Sequence, residues 1–124
     1  VKVYLAADYA RKDEIQGIRV SLEDRGVKVT SRWLDTADDG IPWSAEAKID
    51  LDDIREADVV VSFTTGAHAR GGRHAEFGIA VALDKGLILV GPREHVFHFL
   101  PGVLLLNSVS ELLSWADVYT EAHR

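Results

Sequence analysis

Apolar positions along this chain alternate between two textures: short continuous runs, and longer stretches in which every third or fourth residue is apolar. The runs "VKVYLA", "VKVTS", "DVVVSF", "GLILVG" and "GVLLLN" are rich in β-branched residues and predict five strands. Between the first two, Ile15, Ile18 and Leu22 recur at helical spacing, and Gly26 follows as a stop. A second helix is predicted from Ser44 to about Ala57, after Pro42, and a third from near Arg73 to near Gly86. The last begins at "SVSE", where Ser108 and Glu111 have capping-box spacing. Strands that alternate with helices need crossover connections, and right-handed crossovers build a parallel sheet. The expected fold is therefore α/β: a single domain over 1–124, doubly wound and flavodoxin-like or Rossmann-like, with about five strands and helices on both faces. The stretch "RWLDTADDGIPW" is the longest predicted to be irregular, and loops of that length are often functional.

Composition narrows the function. The net charge is −6, from 20 acidic and 14 basic residues, which disfavours a polynucleotide partner because that would require a basic face. No apolar stretch approaches the roughly 20 residues of a membrane span. The opening "VKVYLAADY" has a strand pattern rather than that of a signal peptide, so a cytoplasmic protein is expected. The absence of cysteine excludes disulfides and thiolate catalysis. A nucleophile-elbow serine motif is absent, as are the dinucleotide and phosphate-loop glycine fingerprints.

In a doubly wound sheet, ligands bind outside the carboxyl ends of the strands. Three segments converge there: "AADYAR" after the first strand, "TTGAHARGGRHAE" after the third and "GPREH" after the fourth. Within the second of these, Glu76 is expected in the first turn of the third helix, where free N–H groups and the helix dipole would favour the ionised carboxylate. Two readings stand for it: a nucleophile, or an acid that merely stabilises a helix start. In the second helix, Glu46 and Asp50 share a face while Asp52 and Asp53 point elsewhere, so at least two of these acids are expected to be solvated. Histidines 68, 74, 95 and 98 show no zinc-protease spacing and no evident third ligand, so neither metal nor cofactor is expected. Tyr4 and the tryptophans at 33, 43 and 115 read as packing, with Trp33 and Trp43 placed to stack on a planar ligand.

Taken together, "DLDDIREADVVVSF", a Gly-rich loop and "RHAEFGIAVALDKGLILVG" resemble the nucleoside 2-deoxyribosyltransferase superfamily, which includes N-glycosidases of deoxynucleoside 5'-monophosphates. The opening "KVYLAADY" extends the resemblance over nearly the whole chain. It implies cleavage or transfer at an N-glycosidic bond, with Glu76 as nucleophile and Asp50 as the accompanying acid. It also implies substrate contacts from Tyr4, Ala6 and Tyr9, from Arg70, Gly71, Gly72 and Arg73, and from His98. Its transferases carry an acid where this chain has Arg70; an arginine there suits a phosphate, although a solvated loop residue is an equal reading. Arg11 is a further phosphate candidate. "REHVFHFLPGV" is the segment able to reach a neighbouring subunit, so the resemblance implies a homodimer or higher homo-oligomer. A non-catalytic nucleotide-binding module is the competing class, disfavoured by the retained acid pair. A phosphoacceptor signalling domain is disfavoured because the third strand ends in Ser62 and Phe63.

Overall fold

A computed structural model describes residues 1–36, 41–64 and 71–123. Its five strands are β1 (Lys2–Ala6), β2 (Lys28–Val29), β3 (Val59–Phe63), β4 (Gly86–Val90) and β5 (Val103–Leu106). All pair in parallel, in the order β2-β1-β3-β4-β5. The four α-helices are α1 (Lys12–Glu23), α2 (Trp43–Glu56), α3 (Gly72–Ala82) and α4 (Val109–Ala122). The chain steps one way from β1 to β2 and the other way from β2 to β3 and on to β4. Right-handed crossovers therefore put α1 on one face and α2 and α3 on the other. Packing agrees, with α1 beside α4 and α2 beside α3. The expected doubly wound α/β fold is thus observed.

Every residue of β3 is buried, as a strand covered on both faces requires. β1 is covered almost as fully, with Val3, Tyr4, Leu5 and Ala6 all inaccessible to solvent. The predicted second strand is longer than the one observed. Beyond Val29, side chains take over the ladder along the edge of β1: Ser31 Oγ accepts the Leu5 N–H at 2.7 Å, and Trp33 Nε1 donates to the Leu5 carbonyl at 2.8 Å. An edge whose polar groups are satisfied this way needs no further strand. Part of the predicted irregular stretch is a 3-10 turn, Arg32–Asp35, with Trp33 and Leu34 buried beneath it. The cap of α4 forms as its spacing predicts, Ser108 Oγ accepting the Glu111 N–H at 3.1 Å while the Glu111 carboxylate accepts the Asn107 N–H.

The strand order reverses between β1 and β3, so their carboxyl ends open a crevice at the switch point. Two features fix its rim. After β1 the chain closes into a 3-10 turn, Tyr9–Arg11, with the Arg11 N–H on the Asp8 carbonyl at 2.9 Å. After β4, Gly91 has φ +119, and a Cβ there would lie 2.4 Å from the Thr64 carbonyl oxygen, so only glycine lets the ends of β3 and β4 approach.

Candidate active site

Glu76 lies at the centre of this crevice. It is the fifth residue of α3, one turn deeper than the first-turn position expected from sequence, because the helix starts at Gly72 behind a left-handed Gly71 cap at φ 97. This corrects the expected electrostatics. Dipole stabilisation fades within the first turn, and burial takes over. Burial is the main force pushing the Glu76 carboxyl up to about 8, and the nearby Asp50 and Glu46 charges push the same way. Opposing them is the hydroxyl of Tyr4, which donates to Glu76 Oε2. Tyr4 sits in the fully buried middle of β1, and burial followed by the Glu76 charge holds its own pKa well above the ordinary value, so it remains a donor.

Two adjoining cavities meet at Glu76. The larger, about 480 Å³, is lined by Ala7, Asp8, Tyr9, Ala10, Gly72, Arg73 and Glu76. The smaller, about 90 Å³, brings Glu46 and Asp50 from α2 to Glu76, with Ala7, Tyr9 and Trp33 as walls. Asp50 is partly buried with Oδ1 unpartnered, and burial, reinforced by Glu46 and Asp53, pushes its carboxyl up to about 6. Of Glu46, Asp50, Asp52 and Asp53, only Asp52 is exposed, which overturns the expectation that at least two of these four are solvated. Asp53 is 2% exposed, accepting the Arg32 backbone N–H at 2.9 Å and its Nε at 2.8 Å, so its role is to tie α2 to the chain after β2.

The structure brings Tyr4, Tyr9, Gly72, Arg73, Asp50 and Glu76 together as the sequence implies. Ala6 is buried at the end of β1, and its neighbour Ala7 is the residue that lines the cavities. Arg73 is 2% exposed, pairs with Glu94 and lies 3.6 Å from Asp8, so carboxylates already answer its charge. Sequence reasoning missed both partners, although each lies in a segment assigned to this edge. Arg11 pairs with Glu14 at 2.8 Å. His98, expected to contact substrate, is wholly buried against Phe77, with Nδ1 accepting the Glu94 N–H at 2.9 Å. Trp33 lines the smaller cavity, whereas Trp43 is exposed at the start of α2. Arg70 and His68 lie outside the described residues.

The fold and crevice define a class: a doubly wound parallel α/β protein whose switch point carries paired acids beside a buried tyrosine. Solved structures give that class more particular company. The chain is similar to a CMP N-glycosidase of Clostridium botulinum, BcmB, at 25% identity over 96% of this chain and 100% of that one, with a TM-score of 0.70. It is similar in fold to a 2-deoxyribosyltransferase of Bacillus psychrosaccharolyticus, at 18% identity over 97% and 96% of the two chains and a TM-score of 0.76. The solution structure of BlsM also aligns, at 18% identity, 98% and 90% coverage and a TM-score of 0.67. No protein-family model matches the sequence, and no curated protein does. The first two structures are enzymes of the nucleoside 2-deoxyribosyltransferase superfamily, so the resemblance carried by the sequence motifs extends to the fold across the whole chain. Among the described residues, no helix is long and apolar enough to cross a membrane.

Proposed function

We propose that this protein is an enzyme that cleaves the N-glycosidic bond of a nucleoside 5'-monophosphate, with Glu76 as nucleophile and water as the final acceptor. The observation that carries this reading is the meeting of Glu76 and Asp50 at one cavity wall on the switch point, with the buried Tyr4 hydroxyl donating to Glu76. The likeness to a CMP N-glycosidase over the whole chain supports the bond type and the nucleotide substrate.

The chemistry follows from the acids. Glu76 must lose its proton before attack. Because its carboxyl, near 8, is the stronger base of the pair, that proton leaves to solvent through the cavities that open at Glu76. Asp50, near 6, lines the same small cavity and carries a proton of its own. The Glu76 carboxylate then bonds to the anomeric carbon while the electrons of the C–N bond leave with the base. Asp50 passes its proton to the departing nitrogen, a task suited to a carboxyl near 6. Water attacks the glycosyl-enzyme, its hydroxyl bonding to the anomeric carbon as its proton passes to the Asp50 carboxylate, which frees the sugar phosphate and restores both acids. Tyr4 orients the nucleophile throughout. Free N–H groups in the first turn of α3, together with Arg70, are the phosphate contacts in this reading, since Arg73 is already neutralised. A second copy of the chain, docked through the connection between β4 and β5, completes the assembly.

The test is chromatography of a panel of nucleosides and their 5'-monophosphates after incubation with the protein, with and without a second free base. Release of base from a monophosphate, together with a sugar-phosphate adduct on the peptide containing Glu76, is the expected result. Incorporation of the added base into new nucleoside would make the enzyme a transferase. Absence of any turnover across the panel would leave a binding module and sink the proposal.

A further inference from the structure

Three histidines gather on the far side of Arg73 and Glu94, outside both cavities at Glu76. His74 comes from the first turn of α3, His95 precedes the 3-10 turn Val96–Phe99, and His98 lies within that turn. Each offers a ligand atom, and these atoms all lie within 4.8 Å of one another. No local spacing marks a third partner for the "HVFH" pair; folding α3 against the β4–β5 connection supplies it. The rings of His95 and His98 stack at 3.7 Å between centroids, and His74 meets His95 edge-on at 4.6 Å.

Four of the six ring nitrogens lack a polar partner. Nδ1 of His74, both nitrogens of His95 and Nε2 of His98 are shielded from solvent and unbonded. A buried polar atom left this way carries its full desolvation cost, and four in one cluster call for an occupant. A hydrogen-bonded water answers two or three such atoms at ordinary distances, but the inward nitrogens of His74 and His95, joined by His98 Nε2 once its tautomer changes, match the donor set of a borderline divalent ion. A carboxylate stands near the outer nitrogen of His74, whose Nε2 lies 3.8 Å from Glu94 Oε1, while its Nδ1 is shielded from solvent.

We propose that His74, His95 and His98 bind one divalent transition-metal ion, zinc by preference, which fastens the β4–β5 connection to the start of α3. Tetrahedral zinc with bonds of about 2.1 Å holds its nitrogens about 3.4 Å apart, so the cluster must tighten. His74 and His95, both partly exposed, can rotate to do so. His98 must also change tautomer. Its Nδ1 now accepts the Glu94 N–H, which places the ring proton on Nε2. Ligation through Nε2 moves that proton to Nδ1 and releases the Glu94 amide. Beside the cluster lies a cavity of about 410 Å³ whose walls include His74, Phe77, His95, Val96 and Phe97.

The experiment uses protein stripped with a chelator and desalted, titrated with zinc chloride by calorimetry and with cobalt chloride by visible absorption. One ion per chain, cobalt bands of tetrahedral intensity between about 500 and 650 nm, and a zinc-dependent rise in Tm are expected. His74→Gln and His95→Gln, at partly exposed positions that leave the buried His98 in place, should each weaken binding at least about tenfold. The Glu94 amide resonance should shift on addition of zinc. No binding to the wild type, undiminished binding in the His74→Gln/His95→Gln double variant, or an unmoved Glu94 amide would each overturn the assignment. None of these readouts depends on glycosidic activity, so the site and the proposed reaction stand or fall separately.

Discussion

A carboxyl held near 8 by burial, with a tyrosine hydroxyl donating to it, gives up its proton reluctantly, and this makes Glu76 the residue on which chemistry and stability diverge. Glu76→Gln keeps an oxygen for Tyr4 and removes the carboxylate. Turnover should fall by about a thousandfold or more while Tm stays level or rises, because a buried charge is no longer at risk. Retained turnover in that variant would end the nucleophile assignment. Asp50 makes a pH-dependent prediction. Its folded pKa of about 6 lies above the ordinary 3.8, so the folded state holds the proton more tightly than the unfolded chain. Its contribution to stability is full below about 3.8 and is lost as pH rises through 6. Asp50→Asn should therefore melt higher than wild type at pH 7 to 8 and alongside it near pH 3.5. Melting curves that stay parallel across that range would make Asp50 an ordinary surface acid.

At the scale of elements, the site depends on how closely β3 and β4 end. Thr64, just past β3, accepts nothing from a side chain at 91: its N–H bonds the Val90 carbonyl at 3.0 Å, and its hydroxyl donates to the Pro92 carbonyl at 2.6 Å. Gly91→Ala would put a methyl into that contact at a positive φ. The combined strain and overpacking should cost about 2 to 5 kcal/mol, read as a lower urea midpoint at unchanged slope. A loss below about 0.5 kcal/mol would mean that the two strand ends separate freely. The same logic explains why β2 is short. Ser31 and Trp33 satisfy the edge of β1 and at the same time bring Trp33 to the wall of the smaller cavity.

For the whole molecule, the conspicuous surface is the β4–β5 connection. Val96, Phe97 and Phe99 are 73%, 57% and 66% exposed within four residues, an apolar concentration that a monomer rarely leaves in water. Association of two copies through this segment is the expected consequence. Sedimentation of the wild type should give a homodimer or larger species, and the double variant Phe97→Glu/Phe99→Glu should sediment as a monomer with intact helical circular dichroism. A wild type that is monomeric at tens of micromolar would remove the need for a partner.

Local pattern alone determined the element order, the parallel α/β class and the edge of the sheet where the candidate site lies, because strand and helix periods are written in adjacent residues. Glu76 stood out at that edge with two readings open, whereas Asp50, Tyr9, Gly72 and Arg73 were singled out only by the resemblance to a known family. Charge states were not legible there. The expected low pKa of Glu76 assumed a helix dipole, whereas its actual environment is set by β1 and α2, segments 72 and 26 residues away through Tyr4 and Asp50. Only the tertiary structure paired Arg73 with Glu94 and Asp8, buried Asp53 and His98, and set His74 beside His95. Each of these depends on which long-range neighbours remove a side chain from water, and no local spacing records that.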